Sequence, residues 1–133
     1  MATNTSVEAD RFAVALTGIV AGVVRPVEAN LPEAVRSACK TGAKTARKLA
    51  RARFGGTGRY ASGFRFKVKG GGASTVGEIG NARLPGLVHL LEKGHATLGG
   101  GRVAGRPHLS DAADEAEAEL WERAVSVVEG ALR

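Results

Sequence analysis

The chain has 133 residues, one cysteine and a formal net charge of +6. This length fits a single domain that folds without disulfides, and one cysteine excludes a disulfide framework. The charge is uneven: residues 110–133 hold seven acids and two arginines, which gives −5 and leaves +11 on residues 1–109. A basic body with an acidic C-terminal segment suits binding to nucleic acid or to copies of itself, and composition alone does not choose between them.

The first predicted element is an N-terminal helix, because apolar residues recur at helical spacing from Phe12 to Val27. The residue before a proline avoids the helical region, so this helix is predicted to end near Arg25-Pro26. The apolar run from Phe12 to Val24 is 13 residues long, which is shorter than a membrane-spanning helix requires. We predict that this run does not cross a membrane. We therefore expect residues 1–29 to be a helical extension of one domain, with no membrane partner.

A second helix is predicted to begin near Asn30, because Asn30 and Glu33 have the spacing of an N-terminal capping box. Its apolar side is mostly alanine, which predicts close packing against another element. The residues on that side are Val35, Cys39, Ala43, Ala46, Leu49 and Ala50. The opposite side is basic and comprises Lys40, Lys44, Arg47, Lys48 and Arg51.

The period then changes to two in the segment FRFKVK, residues 64–69, which predicts a strand with one buried and one basic face. The segment 74–80 reads as its partner strand in an antiparallel hairpin. Pro85 can open a short helix that Gly94 ends, and a long acidic helix follows from Leu109. The predicted fold class is therefore α+β: N-terminal helices, a hairpin or small sheet, a short helix and a long C-terminal helix.

Trp121 lies on the acidic C-terminal helix, where it widens the apolar stripe. One interpretation is simple packing in the core. The other is an anchor between subunits, since tryptophan is favoured at interface hot spots. The sequence leaves both open.

Motifs for chemistry are incomplete in this chain. Gly99, Gly101 and Ala104 match G-x-G-x-x-A, but no strand precedes them and no helix opens from them, as a nucleotide site requires. His89, Glu92 and His95 lack the spacing of a helical zinc site. No serine lies in a G-x-S-x-G setting. We therefore predict no catalytic residues, no metal and no cofactor, and we interpret residues 96–106 as a mobile glycine-rich loop.

Nucleic-acid binding is the main alternative function. The basic sides of the second helix and the first strand together offer about eight cations, enough to neutralise several phosphates. Aromatic residues for base stacking are scarce, however, and no helix-turn-helix, zinc-finger or RNA-binding signature is present. A basic face that meets an acidic helix of a neighbouring chain explains the same pattern.

Three short motifs follow in order: TGRYASGF at 57–64, LVHLLEKGHA at 87–96 and GRPHLSDAADEA at 105–116. Together they resemble the neck and tail-component proteins of long-tailed bacteriophages, a family that includes minor tail protein Z-like sequences. Those proteins typically read T-G-x-L-x-x-S, then E-x-G-T at the end of a helix, then R-P-F-L. The matching residues here are Thr57, Gly58, Ser62, Glu92, Gly94, Arg106, Pro107 and Leu109, with Ser62 one position before the place of the pattern's serine. The chain departs from the pattern at Tyr60, His95 and His108, where leucine, threonine and phenylalanine are usual.

The resemblance covers residues 30–125 and implies a structural role without catalysis. It implies a cyclic ring, a hexamer or a dodecamer, that joins head to tail in the virion and surrounds double-stranded DNA, after assembly in the host cytoplasm. Its implied neighbours are portal, adaptor or stopper proteins, or tail-terminator and tail-tube proteins.

A ring needs two different surfaces on each copy. The basic helix side defined above and the acidic helix suit such a pairing. The expected contacts on the acidic helix are Glu115, Glu119, Trp121 and Glu122. The loop residues expected to reach a neighbour are His95, Gly99, Gly100, Gly101, Arg102 and Arg106.

Overall fold

The computed structural model describes the backbone of residues 2–133 and the side chains of residues 9–133. Three helices and four short strands alternate along the chain, which confirms the predicted α+β class. The elements are α1 Ala2–Phe54, β1 Phe64–Lys69, β2 Val76–Asn81, α2 Pro85–Lys93, β3 Gly94–Ala96, β4 Arg102–Ala104 and α3 Leu109–Ala131. The α1 helix packs along α3, and the β1–β2 hairpin also lies against α1.

The N-terminal region forms one helix, where two were predicted, and the predicted end near Arg25-Pro26 is wrong. Pro26 and Pro32 both lie inside α1. Each proline removes a backbone hydrogen bond from the helix. The surrounding residues 22–30 are exposed or half-buried, so water can reach the freed carbonyl groups. Asn30 is not an N-cap, because its side-chain amide donates to the Pro26 carbonyl one turn earlier (2.7 Å).

Small residues set the distance between α1 and α3. The alanine-rich side of α1 is buried as predicted, with Ala43 and Ala46 fully covered, and Leu49 is half-buried. A methyl group added at Gly42 would lie 2.9 Å from the Cβ atom of Ala116 on α3. The two helices are therefore as close as their smallest side chains allow, which is the packing that the alanine pattern predicted.

The β1–β2 hairpin is antiparallel and pairs Phe66 with Ile79 and Val68 with Gly77. Its inner face covers α1, and a Cβ atom at Gly77 would collide with the buried thiol of Cys39. Burial raises the pKa of that thiol above its usual value. The outer face carries the exposed cations Arg65, Lys67 and Lys69, as the alternation predicted.

Residues 94–104 form a second antiparallel hairpin, so the prediction of a loose loop over 96–106 is wrong in part. Its tight turn is closed by the amide of Thr97, which donates to the Gly101 carbonyl (2.8 Å). Leu98 lies at the tip and is fully exposed. The glycines thus shape a protruding hairpin whose end carries an apolar side chain.

The first turns of α1 extend beyond the rest of the fold. Side chains from residue 9 to residue 20 are all exposed, including large apolar ones such as Phe12 and Ile19. By length and composition alone, the helix from Ala9 to Phe54 contains an 18-residue window apolar enough to cross a membrane, and none of that window is buried. The prediction from the 13-residue run therefore underestimated the length of the apolar segment. One such helix near an N-terminus is weak evidence of a membrane span.

Candidate subunit interface

The three sequence motifs meet at the C-terminal end of α1. Tyr60 from the first motif, Glu92 from the second and His108 from the third form one hydrogen-bonded chain, which we call the hub. The Tyr60 hydroxyl lies 2.6 Å from Nε2 of His108. Nδ1 of His108 lies 3.0 Å from Oε2 of Glu92. Motifs far apart in sequence therefore hold one another in place.

Glu92 caps the N-terminus of α3. Its carboxylate accepts hydrogen bonds from the backbone amides of His108 (3.0 Å), Leu109 (3.0 Å) and Ser110 (2.9 Å). Burial disfavours the ionised form, but the bonds from the side chain and backbone of Ser110 and from the other two amides outweigh it. They lower the pKa of Glu92 to about 2. The carboxylate is therefore ionised at neutral pH and complements the positive end of the helix dipole.

The fully buried imidazole of His108 has its hydrogen-bonding roles fixed by its neighbours. Nδ1 faces two acceptors, the Glu92 carboxylate and the Arg106 carbonyl (2.9 Å), so Nδ1 carries a proton. In the neutral ring Nε2 is then the acceptor for the Tyr60 hydroxyl. Burial and the negative charge of Glu92 raise the pKa of Tyr60 to about 12, so its hydroxyl stays a donor.

Aromatic rings enclose the hub. Phe54, Tyr60 and Phe64 each stand edge-to-face with the His108 ring, with centroids 4.9, 5.5 and 5.8 Å away. The sequence identified Tyr60 and His108 only as departures from the family pattern. Their contact was missed because no local pattern links positions 48 residues apart.

Replacing Tyr60 with phenylalanine is expected to lower the free energy of unfolding by about 1–2 kcal/mol, because it leaves a buried Nε2 acceptor without a donor. Urea unfolding followed by circular dichroism measures the change. The double variant Tyr60→Leu/His108→Phe is the control, because it replaces the hydrogen-bonded pair with two apolar side chains and so leaves no unpaired polar group. A double variant much less stable than Tyr60→Phe would contradict this interpretation of the hub.

The other motif residues build the turns around the hub. Gly58 has φ 77°, and its carbonyl accepts from the amide of Ser62 (2.9 Å). The hydroxyl of Thr57 accepts from the amide of Arg59 (3.4 Å). Gly94 has φ 80° and lies so close to β4 that a side chain would strike the backbone there. Each residue has a role in shaping the chain.

Arg106 also acts within the chain, since its guanidinium donates to the carbonyl of Arg53 at the end of α1 (2.7 Å). Pro107 precedes His108, the N-cap residue of α3, and Leu109 packs half-buried against the core. Arg106 was predicted to contact a neighbour, but the structure places it at the base of the hairpin. Arg102 likewise donates to the Lys93 carbonyl across the hairpin (3.2 Å).

The remaining predicted loop residues lie towards the tip. Gly99, Gly100 and Gly101 are exposed, and Gly100 has φ 88° in the turn. His95 is half-buried on β3, with Nδ1 3.2 Å from the Ala96 carbonyl. Within residues 9–133, no three His, Cys, Asp or Glu side chains are placed to hold a metal ion.

Five predicted interface cations share one side of α1, and we call them the basic ridge: Lys40, Lys44, Arg47, Lys48 and Arg51. Four are exposed and Arg47 is half-buried. None forms an ion pair with an acidic side chain in the part of the chain whose side chains are described. The basic ridge is therefore a charged face without an acidic partner among the side chains of residues 9–133.

The acidic helix α3 divides into two faces. Glu115 and Glu122 are exposed and unpaired among the described side chains, as an interface role requires. Glu119 instead faces α1, where it accepts from the Thr41 hydroxyl (3.2 Å) and lies 3.6 Å from Arg123. The structure thus places Glu119 inside the subunit, so it does not lie with the two free carboxylates.

Trp121 is 72% exposed, so the interpretation as core packing is wrong for a single subunit. It begins an apolar row on the solvent side of α3 that continues through Val125, Val128 and Leu132, all exposed. The sequence placed these residues beside the core stripe. Only the direction in which α3 docks on α1 tells the two faces apart.

The geometry thus comprises a rigid hub, an unpaired basic ridge, an acidic helix face and exposed apolar rows. A comparison of the chain with protein-family models, with curated proteins and with solved structures finds no match.

Proposed function

We propose that the protein is a structural ring component of a tailed-phage neck, a head-to-tail connector or tail-completion protein that surrounds the DNA channel. In this proposal it performs no catalysis and needs no cofactor. It assembles in the host cytoplasm and remains in the virion. Its partners are copies of itself and the portal-side or tail-side proteins next to the ring.

The observation that carries the proposal is the hub. The three motifs that resemble the phage family are distant in sequence but adjacent in space, as expected if they form one shared structural unit. The two departures Tyr60 and His108 lie 2.6 Å apart. A leucine–phenylalanine contact in the family pattern would thus be replaced here by a hydrogen-bonded pair at the same place.

The uncovered surfaces support assembly. A ring joins unlike surfaces of neighbouring copies, and this subunit carries an unpaired basic ridge on α1 and free carboxylates at Glu115 and Glu122 on α3. Opposite charges on two faces of one chain favour head-to-tail contact over face-to-self contact. The hub fixes the angle between the two helices and therefore the angle between successive copies.

Charge reversal of the basic ridge tests this contact. The variant Lys44→Glu/Lys48→Glu is expected to dissociate the oligomer, or weaken it at least roughly tenfold, because attraction to the acidic helix becomes repulsion. Light scattering coupled to size-exclusion chromatography measures the mass, and negative-stain images show whether rings form. Raising the salt concentration should weaken the wild type in the same direction.

Arg59→Glu/Lys93→Glu is the matched control, since it makes the same charge change at two exposed cations that form no ion pair among the described side chains. Its oligomer should survive. Equal loss in both variants would indicate a general effect of net charge. A wild-type protein that stays monomeric and never enters a virion would refute the ring proposal.

The alternative function, nucleic-acid binding, is favoured by one specific feature. Lys44, Arg47, Lys48 and Arg51 line one shallow depression on α1, where their four positive charges can face a phosphate backbone. A gel shift with duplex DNA at increasing salt distinguishes the two. Tight binding by a monomer with a steep salt dependence would favour this alternative.

A further inference from the structure

Two apolar rows on this chain lack a partner within the described part of the subunit. The arm stripe comprises Phe12, Leu16, Ile19 and Val23 on α1, of which the first three are exposed and Val23 is half-buried. The α3 stripe comprises Trp121, Val125, Val128 and Leu132, all exposed. Both repeat with intervals of four, three and four residues, the spacing of a helix that packs lengthwise against another helix.

We propose that the arm stripe of one copy packs on the α3 stripe of a second copy. Each stripe spans 11 positions, which corresponds to about 17 Å of helix. Their equal length and equal spacing allow the side chains of one to fit between those of the other over the whole contact. The arm stripe ends at Val23 and the basic ridge begins at Lys40 on the same helix, so one neighbour cannot place both on the same α3, and this contact joins a different copy from the ridge contact. It deepens the proposed function by naming a second surface that joins copies, and the assembly in which it closes rests on that proposal.

A second copy is the occupant that covers both stripes at once. Each subunit gives one arm, the segment of α1 that carries the arm stripe, and receives the arm of another copy. A single type of contact therefore repeats around an assembly. Pairing of two arms with each other would leave Trp121 uncovered. The arm also lies beyond the end of α3 in its own subunit: the groove between these helices begins at Gly22 on α1 and ends at Arg133. The arm is therefore free to reach outward.

The charges beside the stripes are compatible. Glu115, Glu122 and Glu129 recur every seven residues along one edge of the α3 stripe. No acidic residue lies between Arg11 and Val27, so the arm brings no negative charge against that edge.

The area is adequate for a specific contact. Covering the large side chains of both stripes removes on the order of 1,000 Å² from water, about the smallest area expected of a biological interface. Because a ring subunit makes the contact twice, once as donor and once as acceptor, each copy is held on two sides. Trp121 provides the large aromatic anchor that such interfaces favour.

Trp121 is the only tryptophan, so its fluorescence reports directly on the α3 stripe. The wild type is expected to show a blue-shifted emission as concentration rises and copies associate. Ile19→Asp should keep the emission of an exposed tryptophan and weaken association roughly tenfold or more, because a charge would be buried in the contact. Loss of the blue shift in this variant, without loss of helical signal in circular dichroism, supports the proposal.

Val14→Asp is the matched control. Val14 is 73% exposed and Ile19 is 66% exposed on the same helix, but Val14 points away from the stripe. It should associate like the wild type. If both variants lost association equally and the wild-type protein bound to phosphatidylglycerol–phosphatidylcholine vesicles in a flotation assay, the proposal would be overturned. The arm would then be identified as a membrane segment.

Mixtures of cysteine variants locate the contact by a gain of cross-linking, without relying on a loss of association. Ile19→Cys mixed with Val125→Cys or Val128→Cys should form disulfide-linked pairs of unlike copies, and Val14→Cys should not. A ring that persists in Ile19→Asp and forms no such link overturns this inference but leaves the ring proposal intact. Linked pairs that never close into rings support the inference and contradict the proposed function.

Discussion

Replacing Glu92 with alanine is expected to lower the free energy of unfolding by about 3 kcal/mol at neutral pH. The substitution removes the charged acceptor of three hydrogen bonds that backbone amides donate, and it leaves the start of α3 without a cap. It also removes the acceptor that faces Nδ1 of His108. Urea unfolding followed by circular dichroism at pH 7 measures the loss.

The same carboxylate predicts an acid dependence. Its pKa is lowered to about 2 in the folded protein from the ordinary value of 4.5, so the folded state favours the ionised form. The resulting stabilisation is complete above about pH 5 and disappears as the pH falls towards 2. A shift of this size corresponds to a stabilisation on the order of 3 kcal/mol.

Glu92→Gln tests the charge separately from the shape. Its stability should fall less steeply than that of the wild type between pH 5 and pH 2, because it has no proton to bind there. Asp111→Asn serves as the control, because it removes a nearby exposed carboxylate that lies outside the hub. Asp111 pairs with Arg53 at 3.0 Å, so the hub of Tyr60, Glu92 and His108 stays unchanged. Parallel curves for the wild type and Glu92→Gln would contradict the assignment of Glu92 as the cap.

Patterns within one element predicted this fold well. The alanine side of α1 and the alternation in β1 follow from periods of 3.6 and 2, which depend only on the residues of that element. The buried Ala43 and Ala46 and the exposed Lys67 lie where those periods place them. Such predictions succeed because the burial of one face is decided largely by its own composition.

The errors concern interactions between elements. Pro26 ends a helix in a solvent-exposed peptide more readily than it does here, where the helix continues into a long buried segment that stabilises the whole of α1. The hairpin at 94–104 depends on backbone pairing between His95 and Val103, which composition does not reveal. The hub likewise required the docking of α1, α2 and α3 before its three residues could meet.

The hub and the exposed surfaces are linked mechanically. Glu92 holds the start of α3 against α2, and Arg106 holds the hairpin base against the end of α1. These contacts fix which side of α3 faces the core and which side presents Trp121 and Glu122. A change in the hub is therefore expected to alter assembly even though no hub side chain lies on the outer face.

The second large effect is expected at the contact between α1 and α3. Ala112 is fully buried in a cluster with Ala46, Ala50, Ala61 and Phe64. Ala112→Leu adds three carbon atoms where small side chains keep the helices close, so the helices must separate or the leucine must adopt a strained rotamer. We expect a loss of about 3 kcal/mol and a lower Tm by about 10 °C.

Ala113→Leu is the matched control, because Ala113 is exposed on the next position of the same helix. Alanine and leucine have similar helix propensities, so this variant should stay within about 0.5 kcal/mol of the wild type. Thermal and urea unfolding of both variants measure the difference. If Ala112→Leu were as stable as Ala113→Leu, α1 and α3 would not be held at the distance that Gly42 and Ala116 define. The angle between the basic ridge and the acidic helix would then be adjustable, and the ring geometry would have to be imposed by the neighbouring copies.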